Sequence, residues 1–479
     1  MKLNKSLFFL IFGRILQAFL AIATMKFATF YLSPKEMGNY YVLSSIATLF
    51  GIILISPIGQ FVNRKFHSWY DHGILFQRLF TYNYYVIAVS CLSIPIVYIA
   101  KKYFGFVTDI SFKEVLVLSF TSIYLNTWFG TITPAFNMLE KRISFTWLTL
   151  LNLGGSLALS ILLVVLYGRL GAYWYAGQYI LFQFIITLIA LWLFTRLIRE
   201  KRTSNLFKLQ INSNQINNVI KFSIPLMIAT FFMWLLNDSY RFIVEKMLGL
   251  EVLGNLAVSF SVSASIFALL ESLFQQIYFP GFYRKITSDD SYARLVACQE
   301  LIDVAFPAFI FTTIFLVCSS PFILRLLTSA AYSNSWIFVI FGCGISLARV
   351  LTNIISSIAH SELNTKKLIV PYVAGGILTV ALMTGLLSFY KSHYVIGIVL
   401  LAMNFCVLVL MKHYMFKIVK ANIPWKNIFE VTLLALPFML EIFFWKKTNL
   451  INSFVVMGLF GIYYLFILFK KFSKTLVQS

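Results

Sequence analysis

Three charged residues lie at helical spacing inside one long apolar segment of the chain. Asp238, Arg241 and Glu245 are separated by three and four residues within 222–248, a stretch long enough to cross a bilayer as a helix. This spacing places the three side chains on one face of that helix. A charge in hydrocarbon costs at least about 2.5–3.5 kcal/mol, so the face must contact protein or water. The pattern predicts either a ladder of ion pairs that joins helices or a polar face on a transport path.

Three further cations interrupt other apolar segments. Arg14 and Lys26 share the first segment, and Arg349 lies halfway along a later one. Together with Arg241 they are candidates to bind an anionic group, because attraction between charges is strong in a partly dehydrated cavity. Each has a structural alternative: Lys26 could extend towards the outer surface, Arg14 could bond to Gln17 and helix carbonyls, and Arg241 could pair with its own acids. Arg349 has no acid within one turn, so its partner is another helix or a ligand.

Acidic residues inside the apolar segments suggest coupling to an ion gradient. Glu271 lies well within its segment and is followed one turn later by Gln275. A buried carboxyl group can carry a proton because burial disfavours its charged form. We therefore assign Asp238, Glu245 and Glu271 either to H⁺ or Na⁺ coupling or to salt bridges inside a cavity. Asp303 and Glu441 lie nearer segment ends and are expected at the membrane interface.

The composition limits the class of protein. The chain has 479 residues, of which 60% are hydrophobic and 12% charged, with a mean hydropathy of +0.84. A soluble domain cannot bury so much apolar surface, so we predict an all-α polytopic membrane protein. The net charge of +22 is spread in short clusters between apolar segments, which indicates anionic lipid headgroups as neighbours and not nucleic acid. The sequence contains no ATP-binding phosphate loop, HExxH or CxxC motif, so neither an enzyme nor a bound metal or other cofactor is predicted.

Apolar segments predict fourteen transmembrane helices. They cover approximately 6–32, 39–59, 79–100, 114–136, 143–167, 172–195, 222–248, 252–277, 301–324, 335–359, 368–389, 393–416, 428–445 and 450–469. If the N-terminus is cytoplasmic, 25 of the 39 lysines and arginines fall on the cytoplasmic side, ten on the other side and four within spans. This bias predicts that both termini are cytoplasmic.

The order of the segments predicts two related halves. A six-helix bundle is expected in 1–200, a cytoplasmic linker in 201–221, a second six-helix bundle in 222–420 and an additional helix pair in 421–479. Gly38-Asn39 matches Gly254-Asn255 six segments later, which indicates a parallel repeat about an axis along the membrane normal. Two such bundles would enclose a central cavity. The pairs Gly154-Gly155 and Gly375-Gly376 are expected to allow close contact between helices.

Residues in and directly after the first helix of each half carry a resemblance to a known family. They are Pro34-Lys-Glu-Met-Gly38 in one half and, in the other, Ile224-Pro225, Asp238, Arg241, Gly249-Leu250 and Gly254. Over about its first 420 residues the chain resembles the polysaccharide flippases of the multidrug/oligosaccharidyl-lipid/polysaccharide exporter superfamily, and among these the O-antigen or capsule repeat-unit flippases.

The resemblance implies a fold and a function. The expected fold is a V-shaped pair of six-helix bundles around a central cationic cavity, in a bacterial inner membrane. The expected activity moves an undecaprenyl-pyrophosphate-linked oligosaccharide from the cytoplasmic to the outer leaflet by alternating access. Membrane lipids would surround the protein, and a polysaccharide polymerase with its chain-length machinery would be candidate partners.

Three other functions stay open. The helix pair after residue 420 is also typical of lipid II flippases, which belong to the same superfamily. A multidrug/cation antiporter shares the fold, but four intramembrane cations argue against a cationic cargo. A membrane-embedded glycosyltransferase or polysaccharide polymerase would need a sizeable polar loop, and none of the predicted outer loops is long.

Overall fold

The polypeptide is built from helices joined by short connections. The computed structural model describes residues 5–106, 109–168, 171–198, 213–286, 291–361, 365–446 and 448–478. Its α-helices are α1 (Lys5–Tyr31), α2 (Pro34–Phe50), α3 (Ser56–Asp71), α4 (Leu75–Phe104), α5 (Phe112–Met138), α6 (Arg142–Tyr167), α7 (Ala172–Ile198), α8 (Ser213–Asn237), α9 (Tyr240–Leu248), α10 (Leu250–Ile286), α11 (Ser291–Cys318), α12 (Ser320–Leu327), α13 (Trp336–Ser361), α14 (Ile369–Phe389), α15 (Tyr394–Phe416), α16 (Trp425–Leu434) and α17 (Leu450–Gln478).

These helices confirm the predicted class of fold. Within the described ranges, 13 segments are long and apolar enough to cross a membrane, and α1 precedes them as a fourteenth apolar helix. The segments coincide with the fourteen predicted spans, and the chain is an all-α polytopic membrane protein. The predicted linker 201–221 lies largely outside the described residues, since α8 begins at Ser213.

The second span is one continuous helical path that changes its winding midway. α2 leads into a π-helical segment, Gly51–Ile55, which leads directly into α3. The backbone amide of Ser56 donates to the carbonyl of Gly51, five residues earlier, as π winding requires. The hydroxyl of Tyr85 on α4 donates to the carbonyl of Leu54 at 2.8 Å. A side chain from a neighbouring helix thus contacts the backbone where its winding is irregular.

The seventh span is broken where it was predicted to be continuous. α8 ends at Asn237, Asp238 and Ser239 form a turn, and α9 begins at Tyr240. The hydroxyl of Ser239 donates back to the carbonyl of Leu235, an alternative bond that serine offers to helical backbone. The prediction of a single helix over 222–248 was therefore wrong at its most polar point. The backbone amide of Arg241 donates to the carbonyl of Asp238 across this turn at 3.2 Å.

The thirteenth span is only partly α-helical. α16 is followed by a 3₁₀-helical segment, Leu436–Phe444. Glu441 in this segment is fully buried, and the hydroxyl of Ser319 donates to its carboxylate at 2.6 Å. Glu441 thus contacts the junction of α11 and α12, and its position at the membrane interface stays a prediction.

Contacts divide the chain into two compact units. The first contains Met1–Trp234 and Val244–Glu251, and the second contains Leu235–Ile243 and Val252–Ser479. In the first unit α5 packs on α4 and α7, and α1 packs on α6; in the second, α13 packs on α11 and α15. The four predicted domain boundaries stay a prediction.

One glycine of each predicted pair lies at a close contact between helices. A Cβ atom on Gly155 would lie 1.9 Å from the ring of Phe182, where α6 meets α7 in the first unit. A Cβ atom on Gly375 would lie 2.2 Å from Val407, where α14 meets α15 in the second unit. The expectation that these glycine pairs allow close packing is confirmed at both positions.

Candidate functional site

Arg14 is held by neutral partners in the first unit. Its guanidinium donates to Gln17 at 3.2 Å and lies 5.6 Å from the centre of the Phe145 ring. The amide of Gln17 in turn donates to Thr149 at 2.5 Å, which links α1 to α6. Among the described residues Arg14 has no carboxylate partner. These contacts match the structural alternative for Arg14, while its role in binding an anion stays a prediction.

One ion pair of the predicted ladder at 238–245 is formed at the turn between α8 and α9. Arg241 forms an ion pair with Asp238 at 3.2 Å, and its guanidinium lies 5.6 Å from the ring of Tyr240. Both paired side chains are 17% exposed. Glu245 belongs to the other unit, where its carboxylate lies within electrostatic range of Lys101 on α4. Arg241 and Glu245 both lie on α9, one helical turn apart, whereas Asp238 precedes that helix in the turn.

Glu271 is bound by amides in the second unit. Asn353 on α13 donates to its carboxylate at 3.0 Å, and Gln275 on its own helix donates to the same oxygen at 3.3 Å. Tyr372 on α14 lies within electrostatic range of this carboxylate. No lysine or arginine in the described ranges forms an ion pair with Glu271. The arrangement holds an acid inside a membrane-spanning helix without a neutralising cation.

Arg349 lies one helical turn before Asn353, near the middle of α13. Its side chain is partly buried, and no described residue forms a hydrogen bond or ion pair with its guanidinium. Lys26, near the end of α1, is also partly buried, and its backbone carbonyl accepts the hydroxyl of Thr29 at 3.1 Å. Extension of Lys26 towards the outer surface and binding of an anion by Lys26 both stay predictions.

Two cavities in the first unit were not anticipated from the sequence. One has a volume of about 300 Å³ and lies among α2, the π-helical segment, α3, α4 and α5. The other, of about 390 Å³, lies among α2, the π-helical segment, α5 and α7. Ala47, Gly51 and Asn126 line both cavities, so the two share one wall.

The walls of the cavities are polar but uncharged. The first presents Ser56, Gln60, Asn63 and Tyr82, and the second presents hydroxyl groups from α2, α5 and α7. No charged side chain lines either cavity in the part of the chain that the structure describes. A signal for this surface exists in the sequence, since Ser119, Ser122 and Asn126 recur at helical spacing along one face of α5.

The described residues contain no group of three or more histidine, cysteine, aspartate or glutamate side chains arranged to hold a metal ion. The polar features of the described membrane-spanning helices include the Arg241–Asp238 ion pair, the amide-bound Glu271 and two neutral cavities. Such an arrangement suits binding and movement of a polar cargo, because hydrogen-bonding groups in hydrocarbon need partners from protein, water or ligand.

Comparison with protein families gives one match that covers most of the chain. A family model described as "Polysaccharide biosynthesis protein" matches residues 29–339. A search of curated proteins finds no match.

Solved structures match over nearly the whole length. An inward-facing multidrug resistance MATE family transporter of the MOP superfamily is similar with a TM-score of 0.64 and 10% identity, over 84% of this chain and 94% of that one. Lipid II flippase MurJ in an inward closed conformation is similar with a TM-score of 0.64 and 16% identity, over 97% and 98%. The eukaryotic MATE transporter AtDTX14 is similar with a TM-score of 0.53 and 13% identity, over 88% and 95%. At these identities the similarity shows the fold.

Proposed function

The chain belongs to the polysaccharide biosynthesis protein family, and from this premise we propose that it is a flippase for an undecaprenyl-pyrophosphate-linked oligosaccharide. The oligosaccharide is an O-antigen or capsule repeat unit, moved by alternating access from the cytoplasmic to the outer leaflet of a bacterial inner membrane. The family supports a role in polysaccharide synthesis, and the fold is that of membrane transporters and flippases. The bias of lysine and arginine supports cytoplasmic termini.

The observation that carries this proposal is Arg349. It places a positive charge near the middle of α13 without a hydrogen-bond or ion-pair partner among the described residues. A guanidinium binds phosphate oxygens through paired, charge-assisted hydrogen bonds. A pyrophosphate would therefore supply the hydrogen-bond acceptors and the negative charge that the described residues do not provide to Arg349. A cationic drug would instead be repelled by this side chain. Arg14, Lys26 and Arg241 are further candidates for binding an anionic group of the cargo.

Movement of the cargo is driven by an ion gradient in this proposal. Glu271 supports it, because a carboxylate held by Asn353 and Gln275 can take up and release H⁺ or Na⁺ without breaking an ion pair. Asp238 and Glu245 are further candidates for coupling or for salt bridges. A polysaccharide polymerase and its chain-length machinery would act on the translocated product.

Transport of lipid II is the second candidate function. α16 and α17 extend the chain beyond twelve spans, and the match to lipid II flippase MurJ covers 98% of that chain. Lipid II also carries a pyrophosphate, so Arg349 would serve either cargo. A multidrug/cation antiporter is the remaining alternative on this fold.

The experiment reconstitutes the full chain in vesicles and compares three cargoes. These are undecaprenyl pyrophosphate carrying a neutral oligosaccharide, lipid II and a cationic dye. We expect movement of the oligosaccharide cargo under an ion gradient and no movement of the dye. Faster movement of lipid II than of the oligosaccharide cargo would assign the second candidate function. Movement of the dye alone would replace the flippase proposal with drug export.

A further inference from the structure

We propose that the two cavities around the π-helical segment Gly51–Ile55 form a binding subsite for an uncharged, hydroxyl-rich sugar ring of the cargo. This inference rests on the proposed flippase function and adds which part of the cargo the first unit recognises. The cavities belong to α2, α3, α4, α5 and α7, whereas Arg349 and Glu271 belong to the second unit.

The neutrality of the cavity walls selects the chemistry of the ligand. No charged side chain among the described residues lines either cavity. A pyrophosphate or an organic cation entering such a site would lose its hydration without gaining a counter-charge, which is costly in a membrane protein interior. A sugar ring is neutral and carries several hydroxyl groups, so it exchanges hydrogen bonds with water for hydrogen bonds with the cavity.

Asn126 provides hydrogen-bonding capacity that the protein does not use. It lies near the middle of α5, its side chain is exposed to both cavities, and its amide has no hydrogen-bond partner among the described residues. Gln60 and Asn63 on α3 line the first cavity and are likewise exposed without such a partner. An amide offers donors and acceptors together, as sugar hydroxyl groups do. Three such amides on adjoining helices form a complementary surface.

Tyrosines give the same cavities an apolar face. Tyr82 lines the first cavity, and Tyr40 and Tyr179 line the second. The ring of Tyr40 is fixed edge-on against Tyr175 at 5.1 Å, so its orientation is set before a ligand arrives. Sugar rings present C–H groups on one side and hydroxyl groups around the rim, and an aromatic ring beside amides matches both.

The π-helical segment contributes the space for the ligand. A Cβ atom on Gly51 would meet nothing within 4 Å, although Gly51 lines both cavities. The missing side chain is therefore part of the open volume, not a requirement of helix packing. The volumes of about 300 and 390 Å³ fall at the lower end of the range of roughly 300–1,000 Å³ for small-molecule sites. That size suits single rings rather than a whole repeat unit.

The first test fills the cavities without disturbing the fold. Gly51→Leu places a side chain in the open volume, while Gly385→Leu on α14 makes the same change at another helical glycine with open space around it. Because glycine is unfavourable in a helix, both variants are expected to unfold at or above the temperature of the parent. We expect at least a tenfold loss of oligosaccharide transport for Gly51→Leu and less than a twofold change for Gly385→Leu.

The second test removes the ligand contact and asks whether free sugar competes. Asn126→Leu is compared with Asn137→Leu, the same change at the end of α5 outside both cavities. The oligosaccharide without lipid or phosphate should inhibit transport by the parent and by Asn137→Leu, and should inhibit Asn126→Leu at least tenfold less strongly. If Asn126→Leu does not fold, Gln60→Leu replaces it with the same expectation.

The outcomes separate this inference from the proposed function. Normal transport by Gly51→Leu, together with equal inhibition of the parent and the Asn126 variant by free sugar, would overturn the subsite and leave the flippase function intact. A parent that moves no lipid-linked sugar would overturn both. Undecaprenyl pyrophosphate without sugar has no group that would bind in the cavities. The parent and Gly51→Leu should therefore move this lipid at equal rates.

Discussion

Arg14 and Arg349 are both arginines inside membrane-spanning helices, but their surroundings differ. Arg14 donates to Gln17, lies against the ring of Phe145 and is linked through Gln17 to Thr149 on the next packed helix. Arg349 has no such partners among the described residues, although Asn353 one turn away is bound to Glu271. Arg14 thus joins helices of the first unit, whereas Arg349 is the residue that we propose binds the ligand.

The difference shows that charge and depth alone do not identify a binding residue in a membrane protein. Both arginines cost free energy to place in hydrocarbon, so each needs a compensating contact. For Arg14 the protein supplies part of that contact in its resting structure. For Arg349 the missing contact is what a pyrophosphate would provide.

Arg349→Ala tests the ligand side of the comparison and should have the largest effect. Charge-assisted hydrogen bonds contribute about 1.5–3 kcal/mol, so transport of the lipid-linked oligosaccharide should fall roughly tenfold to a hundredfold. The thermal unfolding temperature should not fall, because no described partner is lost. Initial rates in vesicles and thermal unfolding in detergent measure the two effects.

Arg349→Lys and Arg196→Ala serve as controls for this prediction. Lysine keeps the charge but loses the paired geometry of the guanidinium, so an intermediate rate is expected. Arg196 lies in the last turn of α7 and contacts the ring of Trp192, and its removal should leave the rate unchanged. Normal transport by Arg349→Ala would show that Arg349 does not bind the cargo, and the proposed functional difference between Arg349 and Arg14 would be wrong.

Glu271→Gln separates cargo binding from ion coupling and should have an intermediate effect. Glutamine keeps an oxygen to accept the amide of Asn353 but loses the ionisable group, so the fold should be retained. We expect the gradient-driven part of transport to be lost, a decrease of about fivefold or more, while transport without a gradient persists. Rates measured with and without proton and sodium gradients provide the test.

A matched control is Gln275→Glu, which adds an acid one turn away on the same helix and should not restore gradient dependence to Glu271→Gln. Unchanged gradient dependence in Glu271→Gln would remove this residue from the coupling mechanism. Asp238, which pairs with Arg241 at 3.2 Å, would then be the next residue to substitute.

The sequence predicts the helices more reliably than the polar contacts between them. Hydropathy and charge bias locate all fourteen spans, because burial of apolar surface in lipid dominates their free energy. They do not reveal the turn at Asp238, where a serine bond to Leu235 competes with helical winding. They also do not reveal the contact between Ser319 and Glu441, which joins segments 122 residues apart in the sequence.

The candidate site shows the same division. Arg349 and Glu271 attract attention in the sequence, since charges in apolar segments are rare and costly. Gly51 does not, because a glycine is ordinary in a membrane helix, and the polar face of α5 that contains Asn126 carries no charge that would mark it as a site. Only the π-helical winding of Gly51–Ile55 and the packing of α5 beside it show that these residues border open cavities.

Arg14→Ala tests the structural side of the comparison and should have the smallest effect on transport. Loss of the hydrogen bond to Gln17 and of the contact with Phe145 should lower stability by about 1–2 kcal/mol. Oligosaccharide transport, normalised to folded protein, should change less than about threefold. A loss of about 1.4 kcal/mol in transition-state stabilisation would lower the rate tenfold, so the expected effect of Arg14 on transport is smaller than that. Thr149→Val removes the other end of the same chain of contacts and should destabilise less than additively with Arg14→Ala, because the two residues share Gln17. A large loss of transport at normal stability would instead give Arg14 a role at the cargo.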